Sequence, residues 1–244
     1  MEKEILRFYG RRHGKSLKPS RVFLMENLLP EIAVSKPTTE NFDFETLFDF
    51  KPKEVWLEVG FGGGEHLAEQ ALRHPDIAFV GAEPFMNGVA SLLTHINGSH
   101  DVPFKEENPL IEERRADNVR IWPEDIRQLF PLTKEKSFDR IFVLYPDPWP
   151  KSRHENRRFL VKENLKELYR LLKDNGELRV ATDVEGYALW AMEEIETSGL
   201  FYQTNPDLHK APDDWVPTRY EQKGLKAGRT PFYLSYRKNL DEKR

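Results

Sequence analysis

The sequence predicts an α/β fold: a doubly wound, mostly parallel seven-stranded sheet with an antiparallel C-terminal strand. Three observations predict it. Short apolar, β-rich segments alternate with amphipathic helical ones between residues 54 and 199. The last two strand-like segments, "LFYQTN" and "PFYLSYRK", have no helix between them and can pair antiparallel. Glycines or acids recur just after the predicted strands, at the sheet edge where parallel sheets bind ligands.

The elements follow in order. "EVWLEVG" (54–60) is a short apolar strand running into glycines. "EHLAEQALRHP" (65–75) is a helix stopped by Pro75. "IAFVGAEP" (77–84) is the second strand. "NGVASLLTHIN" (87–97) places Val89, Leu92, Leu93 and Ile96 on one helical face. "NVRIWPED" (118–125) and "FDRIFVLYP" (138–146) are strands. "RFLVKENLKELYRLLKDNG" (158–176) reads as the clearest helix, with Leu165, Leu168, Leu171 and Leu172 as its stripe and Asn175-Gly176 as its end. "ELRVATD" (177–183) is a strand and "YALWAMEEIETSG" (187–199) a helix. The polar segment 98–117 reads as a surface excursion.

At 244 residues, with 39% apolar and 32% charged side chains, the chain fits one domain over 31–244, preceded by an extension over 1–30 that is free to be flexible. No apolar run approaches the ~18 residues of a membrane span, and the start lacks a secretory signal. The absence of cysteine removes disulfides, Cys-based zinc sites and thiol catalysis, and agrees with a cytoplasmic setting. Charge is uneven. Residues 1–21 hold seven Lys/Arg (Lys3, Arg7, Arg11, Arg12, Lys15, Lys18, Arg21) against Glu2 and Glu4, while the whole chain is −4. A basic arm on an acidic body is a footprint of polyanion binding, and also what a solvated tail looks like.

"LEVGFGGGEHL" supplies Gly60, Gly62, Gly63 and Gly64 between a strand and a helix, where glycine permits positive φ and close approach to a ligand. Glu83 ends the second strand, where a carboxylate can accept both hydroxyls of an adenosyl ribose. A dinucleotide fingerprint counted from Gly60 needs a small residue where Glu65 stands, and acids at Glu58 and Glu65 repel a diphosphate. Acidic flanks suit S-adenosylmethionine, with its sulfonium, its ammonium and no phosphate. Glu58 also reads as a satisfied polar residue at a strand end. Asp125 meets an adenine amino group or caps the turn "IRQLF" (126–130).

These residues carry a resemblance. "RFYGRRHGKSL", "LEVGFGGGEHL", "FVGAEP", "YPDPWPKSRHENRRF", "ATDVEGYALWA" and "PTRYEQKGL" resemble the tRNA (guanine-N7-)-methyltransferase family, in order and over almost the whole chain. The Pro-Asp-Pro-Trp-Pro-Lys-x-Arg-His block and the late Thr-Arg-Tyr-Glu are the specific signals. The resemblance implies a class I, Rossmann-like catalytic domain that methylates tRNA, usually at guanosine 46 of the variable loop, with no metal. It implies that Glu58, Glu83, Asp125 and Asp147 line the S-adenosylmethionine site alongside Gly60, Gly62 and Gly64. It implies that Lys151, Asp183, Thr218, Arg219, Tyr220 and Glu221 touch the tRNA. Pro84-Phe85 after Glu83 and the long 98–117 segment depart from the family pattern.

Guanine N7 carries a lone pair and no proton, so the transfer needs alignment and electrostatics rather than a general base. An Arg clamp on O6 and N7 would cover the reacting atom. The opposite, donor-rich edge is gripped by carboxylates, which makes Asp147, Asp183 and Glu221 the candidates and Asp147, between Pro146 and Pro148, the catalytic one. Trp149 stacks on a base or packs. Lys151, Arg153, Arg157 and Arg158 read as phosphate contacts or as a solvated helix start. The competing functions are methyl transfer to an exocyclic amine, nicotinamide-dependent hydride transfer, and RNA binding without catalysis.

Overall fold

A computed structural model describes residues 8–98 and 116–240. The early residues Glu2, Lys3, Glu4 and Arg7 of the basic arm, and most of the predicted 98–117 excursion, lie outside them.

The sheet is built from β1 (Glu54–Val59), β2 (Ile77–Ala82), β3 (Val119–Trp122), β4 (Phe138–Leu144), β5 (Leu172–Thr182), β6 (Phe201–Gln203) and β7 (Phe232–Lys238), in the order β3-β2-β1-β4-β5-β7-β6. β7 runs antiparallel to both β5 and β6, and the pairs joining β1 to β5 are parallel. This is the predicted doubly wound sheet. Its order reverses between β1 and β4, so a crevice opens there at the carboxyl ends.

Both faces are covered, which explains why the strands read as nearly continuous apolar runs. Side chains alternate across the sheet with period two. Val55 and Leu57 enter one core, while Trp56 enters the other. Val80, Ile141, Val143 and Val180 join the first; Phe79, Phe142 and Ala181 join the second. The second core is roofed by α1 (Pro19–Asn27), α2 (Leu29–Ile32), α3 (Glu65–Arg73) and α4 (Met86–Ile96) through Leu24, Leu28, Ile32, Leu67, Leu92 and Leu93. The first is roofed by α5 (Lys162–Leu171) and α6 (Glu185–Thr197) through Leu165, Leu168, Tyr187 and Ile195. Leu92 and Leu93 are fully buried, each stabilising by roughly 1.5–3 kcal/mol. The last helix, α7 (Arg219–Lys226), lies between β6 and β7 in the chain.

Two sequence readings change. The predicted helix over 158–176 is only α5, and Leu172 is extended, pairing with Phe138 as the first residue of β5. The ladder then slips: Arg140 faces Glu177, so residues 173–176, with Asn175-Gly176, form a bulge within β5 rather than a helix end. Arg157 and Arg158 are not at a helix start. Arg157 ends a short 3₁₀ helix, Ser152–Arg157, and α5 begins at Lys162.

Candidate active site

The carboxyl ends of β1, β2, β3 and β4 open into a cleft of about 480 Å³ lined by Gly60, Gly62, Glu83, Asp125, Asp147 and Tyr220 among others. That volume is within the range of small-molecule sites.

The glycine loop turns sharply. Gly60 and Gly62 have φ of 70° and 57°, values that cost an L side chain free energy. Their amides are spent inside the protein: Gly60 N–H donates to Ala82 O at 2.8 Å, and Gly62 N–H to Glu83 Oε2 at 2.8 Å. Gly64 N–H donates to Phe61 O at 2.9 Å. A diphosphate-binding loop aims such donors at its ligand; this one aims these three at two carbonyls and a carboxylate. Gly64 does not line the cleft. It precedes α3 at φ 79°, and a Cβ there would stand 2.9 Å from Leu92 Cα, so glycine lets α3 and α4 meet.

Glu83 is the fixed point of this half. Phe85 N–H donates to its Oε1 at 2.8 Å, so a backbone amide holds each oxygen. Burial pushes the carboxyl up to about 7; the amides of Phe85 and Gly62 oppose this, and the charges of Asp147 and Glu58 add to it. Asp125 accepts from Arg127 N–H and from its guanidinium Nε, each at 3.0 Å, so it caps the 3₁₀ turn Ile126–Gln128 while still lining the cleft. Glu58 is buried, accepts from His66 Nδ1 at 2.7 Å through Oε2, and is not among the residues that line the cleft.

Asp147 stands exposed between two aromatic residues with left-handed backbone, Tyr145 at φ 50° and Trp149 at φ 41°. Such conformations cost about 1–3 kcal/mol each and persist only where neighbours enforce them. The neighbours are visible. Tyr145 N–H donates to Ala181 O at 2.7 Å, and Arg158 donates to Pro148 O at 3.0 Å and Trp149 O at 3.2 Å. Arg158 is buried, with its guanidinium 4.6 Å from the Trp190 ring. That removes it from the phosphate contacts: its donors face the loop it supports. Arg157 is stacked between Tyr9 and Trp149, 4.7 and 5.0 Å from their rings. Trp149 therefore packs, in a pile that brings residues 8–11 of the arm to the cleft wall. Lys151 and Arg153 are exposed beside it.

The other half is assembled by long-range side-chain bonds. Asp183, just past β5 and not among the residues that line the cleft, accepts from Arg229 Nε at 2.8 Å through Oδ2. Thr218 Oγ1 accepts from Glu221 N–H at 3.0 Å and caps α7. Glu221 is buried, and both its oxygens are taken, by Trp215 Nε1 at 2.8 Å and Tyr233 OH at 2.9 Å. It holds α7 in place and, unlike Glu83, is not among the residues that line the cleft. Tyr220, next to it, reaches the cleft beside Gly62. Arg219 lies 3.6 Å from Glu65.

A 43% identical relative, spanning 95% of this chain and 92% of its own length, is the tRNA (guanine-N(7)-)-methyltransferase of Paramagnetospirillum magneticum. This chain belongs to the tRNA (guanine-N7-)-methyltransferase family. The enzyme of that name from Ruegeria pomeroyi is also 43% identical, over 95% of this chain and 94% of its own. A family described as "Putative methyltransferase" matches residues 52–234. The 16S rRNA methyltransferase KamB superposes with a TM-score of 0.53 at 14% identity, covering 85% of this chain and 99% of its own, a likeness of fold. The chain is thus a methyltransferase of this family, and the cleft at the sheet's switch point is its candidate active site.

Sequence reasoning missed Tyr145 on the cleft wall and several residues that hold α7 beside it. Asp214 bridges Arg140 and Arg179 at 2.7 Å each, anchoring the segment before α7. Burial works against its charge, but the hydrogen bonds and charges of Arg179 and Arg140 hold its carboxyl at about 2. Trp215 packs 5.8 Å from the His66 ring and bonds Glu221, and Tyr145 lines the cleft with a buried hydroxyl. Nothing local in the sequence marks Asp214, Trp215 or Arg229. Tyr145 was signalled only by its place before Pro-Asp-Pro-Trp.

Proposed function

We propose that this enzyme transfers a methyl group from S-adenosylmethionine to N7 of guanine in tRNA, at guanosine 46 of the variable loop. The observation that carries the reading is the pairing, in one cleft, of a backbone-fixed Glu83 with an exposed Asp147 on a strained loop. The relatives' shared name supports guanine N7 as the acceptor.

The residues fit the methyl donor. Glu83 lines the cleft with one amide on each oxygen, which leaves each oxygen a lone pair for a ribose hydroxyl, Asp125 edges the same wall, and the amides of Gly60, Gly62 and Gly64 are already used. When bound, the donor supplies an electrophilic methyl group on a positive sulfonium.

The chain's own work is alignment. Asp183 Oδ1 carries no hydrogen bond among the described residues, and Asp147 is exposed, so these two carboxylates accept from guanine N1–H and the 2-amino group. Held by that edge, the base points N7 away from them. No residue must take a proton. As the ring becomes cationic, the nearby carboxylate charge compensates it. Regular RNA helices bury N7 in a deep groove, so the target is presented from an irregular region or flipped out, and Lys151 with Arg153 meets its phosphates.

The test is incubation of the full-length protein with unmodified tRNA and S-adenosylmethionine, then nucleoside mass spectrometry and fragment mapping. The expected product is 7-methylguanosine in the variable-loop fragment. Methylated adenosine or cytidine instead would favour transfer to an exocyclic amine, and no methylated nucleoside with folded tRNA would end the proposal.

A further inference from the structure

Outside the cleft, α7 and its C-terminal cap carry a row of cations, of which Arg229 alone bonds a carboxylate that the proposed function uses. Arg219, Lys223 and Lys226 recur at i, i+4 and i+7, so they share one helix face, opposite the buried Glu221 and Gly224. All three are exposed. Lys223 and Lys226 have no ion pair among the described residues. The helix holds one acid, Glu221, and it is buried.

The neighbouring surfaces show that this is not simply how the chain solvates a helix. α5 balances Lys162, Lys166 and Arg170 with Glu163 and Glu167. α6, which follows the strand ending at Asp183, carries Glu185, Glu193, Glu194 and Glu196 and no Lys or Arg. One helix beside the site is wholly acidic and the next is basic at its surface, on a chain whose net charge is −4. A polyanion reaching the cleft is repelled from α6 and drawn along α7.

The cap adds a directed donor. Gly228 takes φ 74°, its N–H donates to Leu225 O, and Arg229 N–H donates to Gly224 O, both at 3.0 Å. This double bond pattern is a Schellman cap, with glycine in the left-handed position. It returns Arg229 toward the site, where Nε donates to Asp183 Oδ2 at 2.8 Å. The guanidinium is planar, so fixing Nε also fixes the direction of the two terminal nitrogens. Neither has a hydrogen bond among the described residues, and the side chain is 49% exposed. The cationic row starts beside Tyr220 at the cleft lip and spans about 10 Å from Arg219 to Lys226, roughly the rise of three nucleotides in one strand.

We propose that this face of α7, together with Arg229, is an RNA-binding surface that grips the phosphates flanking the guanine in the cleft. Arg229 takes a phosphate with its terminal nitrogens while its Nε steadies Asp183 on the base. The inference rests on the tRNA reading above and extends it to Lys223, Lys226 and Arg229.

The experiment measures binding of fluorescent tRNA to the full-length protein across a salt series, for wild type, Lys223→Ala/Lys226→Ala, Arg229→Gln, Arg229→Lys and, as a control on α5, Lys162→Ala. The slope of log K against log salt should flatten by about 0.7–0.9 for Arg229→Gln and by about 1.4–1.8 for the double variant. Arg229→Lys should keep the slope but bind several-fold more weakly, because a point charge cannot serve Asp183 and a phosphate with one planar fork. Lys162→Ala should match wild type, cofactor affinity should be unchanged throughout, and Tm should be unchanged in the lysine variants. Unchanged slopes in both the double variant and Arg229→Gln overturn the proposal, as does an equal flattening in Lys162→Ala. Weaker tRNA binding with an intact slope and lost cofactor affinity assigns these residues a structural role and also overturns it. Wild type that methylates tRNA with no slope change in the variants leaves the reaction standing and removes the surface. Flattened slopes in a protein that forms no 7-methylguanosine keep the surface and remove the reaction.

Discussion

On the cofactor side of the cleft, Glu83 is fixed by backbone amides from Phe85, two residues away, and Gly62, 21 residues away. On the substrate side, side chains do the fixing, and from further off: Asp183 is held by Arg229, 46 residues later, and the segment leading into α7 is held through Asp214 by Arg140, 74 residues earlier. Backbone amides at the ends of parallel strands are placed by the sheet itself, so the first half is rigid once the sheet forms. The second half depends on a separate helix, α7, docking through Trp215, Glu221 and Tyr233. A site made this way can lose its substrate side while keeping its cofactor side.

The largest effect that bears on this contrast comes from Asp147, which stands where the halves meet. Asp147→Asn should lower single-turnover methyl transfer by roughly 10²-fold or more, with an unchanged circular dichroism spectrum. Normal turnover would remove it from the catalytic role.

The next test separates the halves directly. Glu83→Gln should weaken cofactor binding by about tenfold or more, the worth of a charge-assisted hydrogen bond, while tRNA affinity stays near wild type. Glu221→Gln should do the reverse, raising KM for tRNA with cofactor affinity within about twofold, because it disturbs the docking of α7 and not the glycine loop. Equal losses of both affinities in either variant would mean the halves are one unit.

Arg157 and Arg158 sharpen the same contrast within one stretch. Arg158→Ala should lower Tm by several degrees, since its loss removes two hydrogen bonds from a buried charged group to partly buried carbonyls. Arg157→Ala should leave Tm nearly unchanged and weaken tRNA binding instead, through the loss of its stack with Tyr9 and Trp149.

The smallest effect is one of pH. Glu83 titrates near 7 in the folded protein against an ordinary carboxyl value of 4.5. A raised value contributes stability below 4.5 that is lost as pH climbs through 7. Tm of the cofactor-free protein should therefore decline across that window. Ribose hydroxyls favour the carboxylate, so S-adenosylmethionine should bind more tightly at pH 8 than at pH 6 and release protons on binding near pH 6. Calorimetry in buffers of different ionisation enthalpy reads this; pH-independent affinity without proton release would place the ribose elsewhere.

The contrast also explains what could be read from residues alone. The strand-helix alternation, the glycine turn and Glu83 are local patterns, set by period-two burial and by φ values only glycine adopts cheaply, and the strands follow along the chain as read from the sequence. Helix 158–176 was over-read because Leu172 continues the leucine stripe; its extended backbone is decided by pairing with Phe138. Arg158 looks like its neighbour in sequence, yet burial beneath the Pro-Asp-Pro-Trp loop reverses its role. Glu58 has the charge expected of a cofactor ligand, but His66, eight residues on, claims it. Glu221 reads as a free acceptor until Trp215 and Tyr233 fold onto it.

The central claim is that the cleft aligns guanine N7, by its opposite edge, for a transfer that needs no base. The most direct measurement uses tRNA carrying 7-deazaguanosine at the variable-loop target, which keeps N1–H and the 2-amino group and lacks only the reacting atom. The account predicts binding equal to that of guanosine-containing tRNA and no methyl transfer to that nucleotide. Methylation of the 7-deazaguanosine at another atom, or loss of binding with N7, would contradict it.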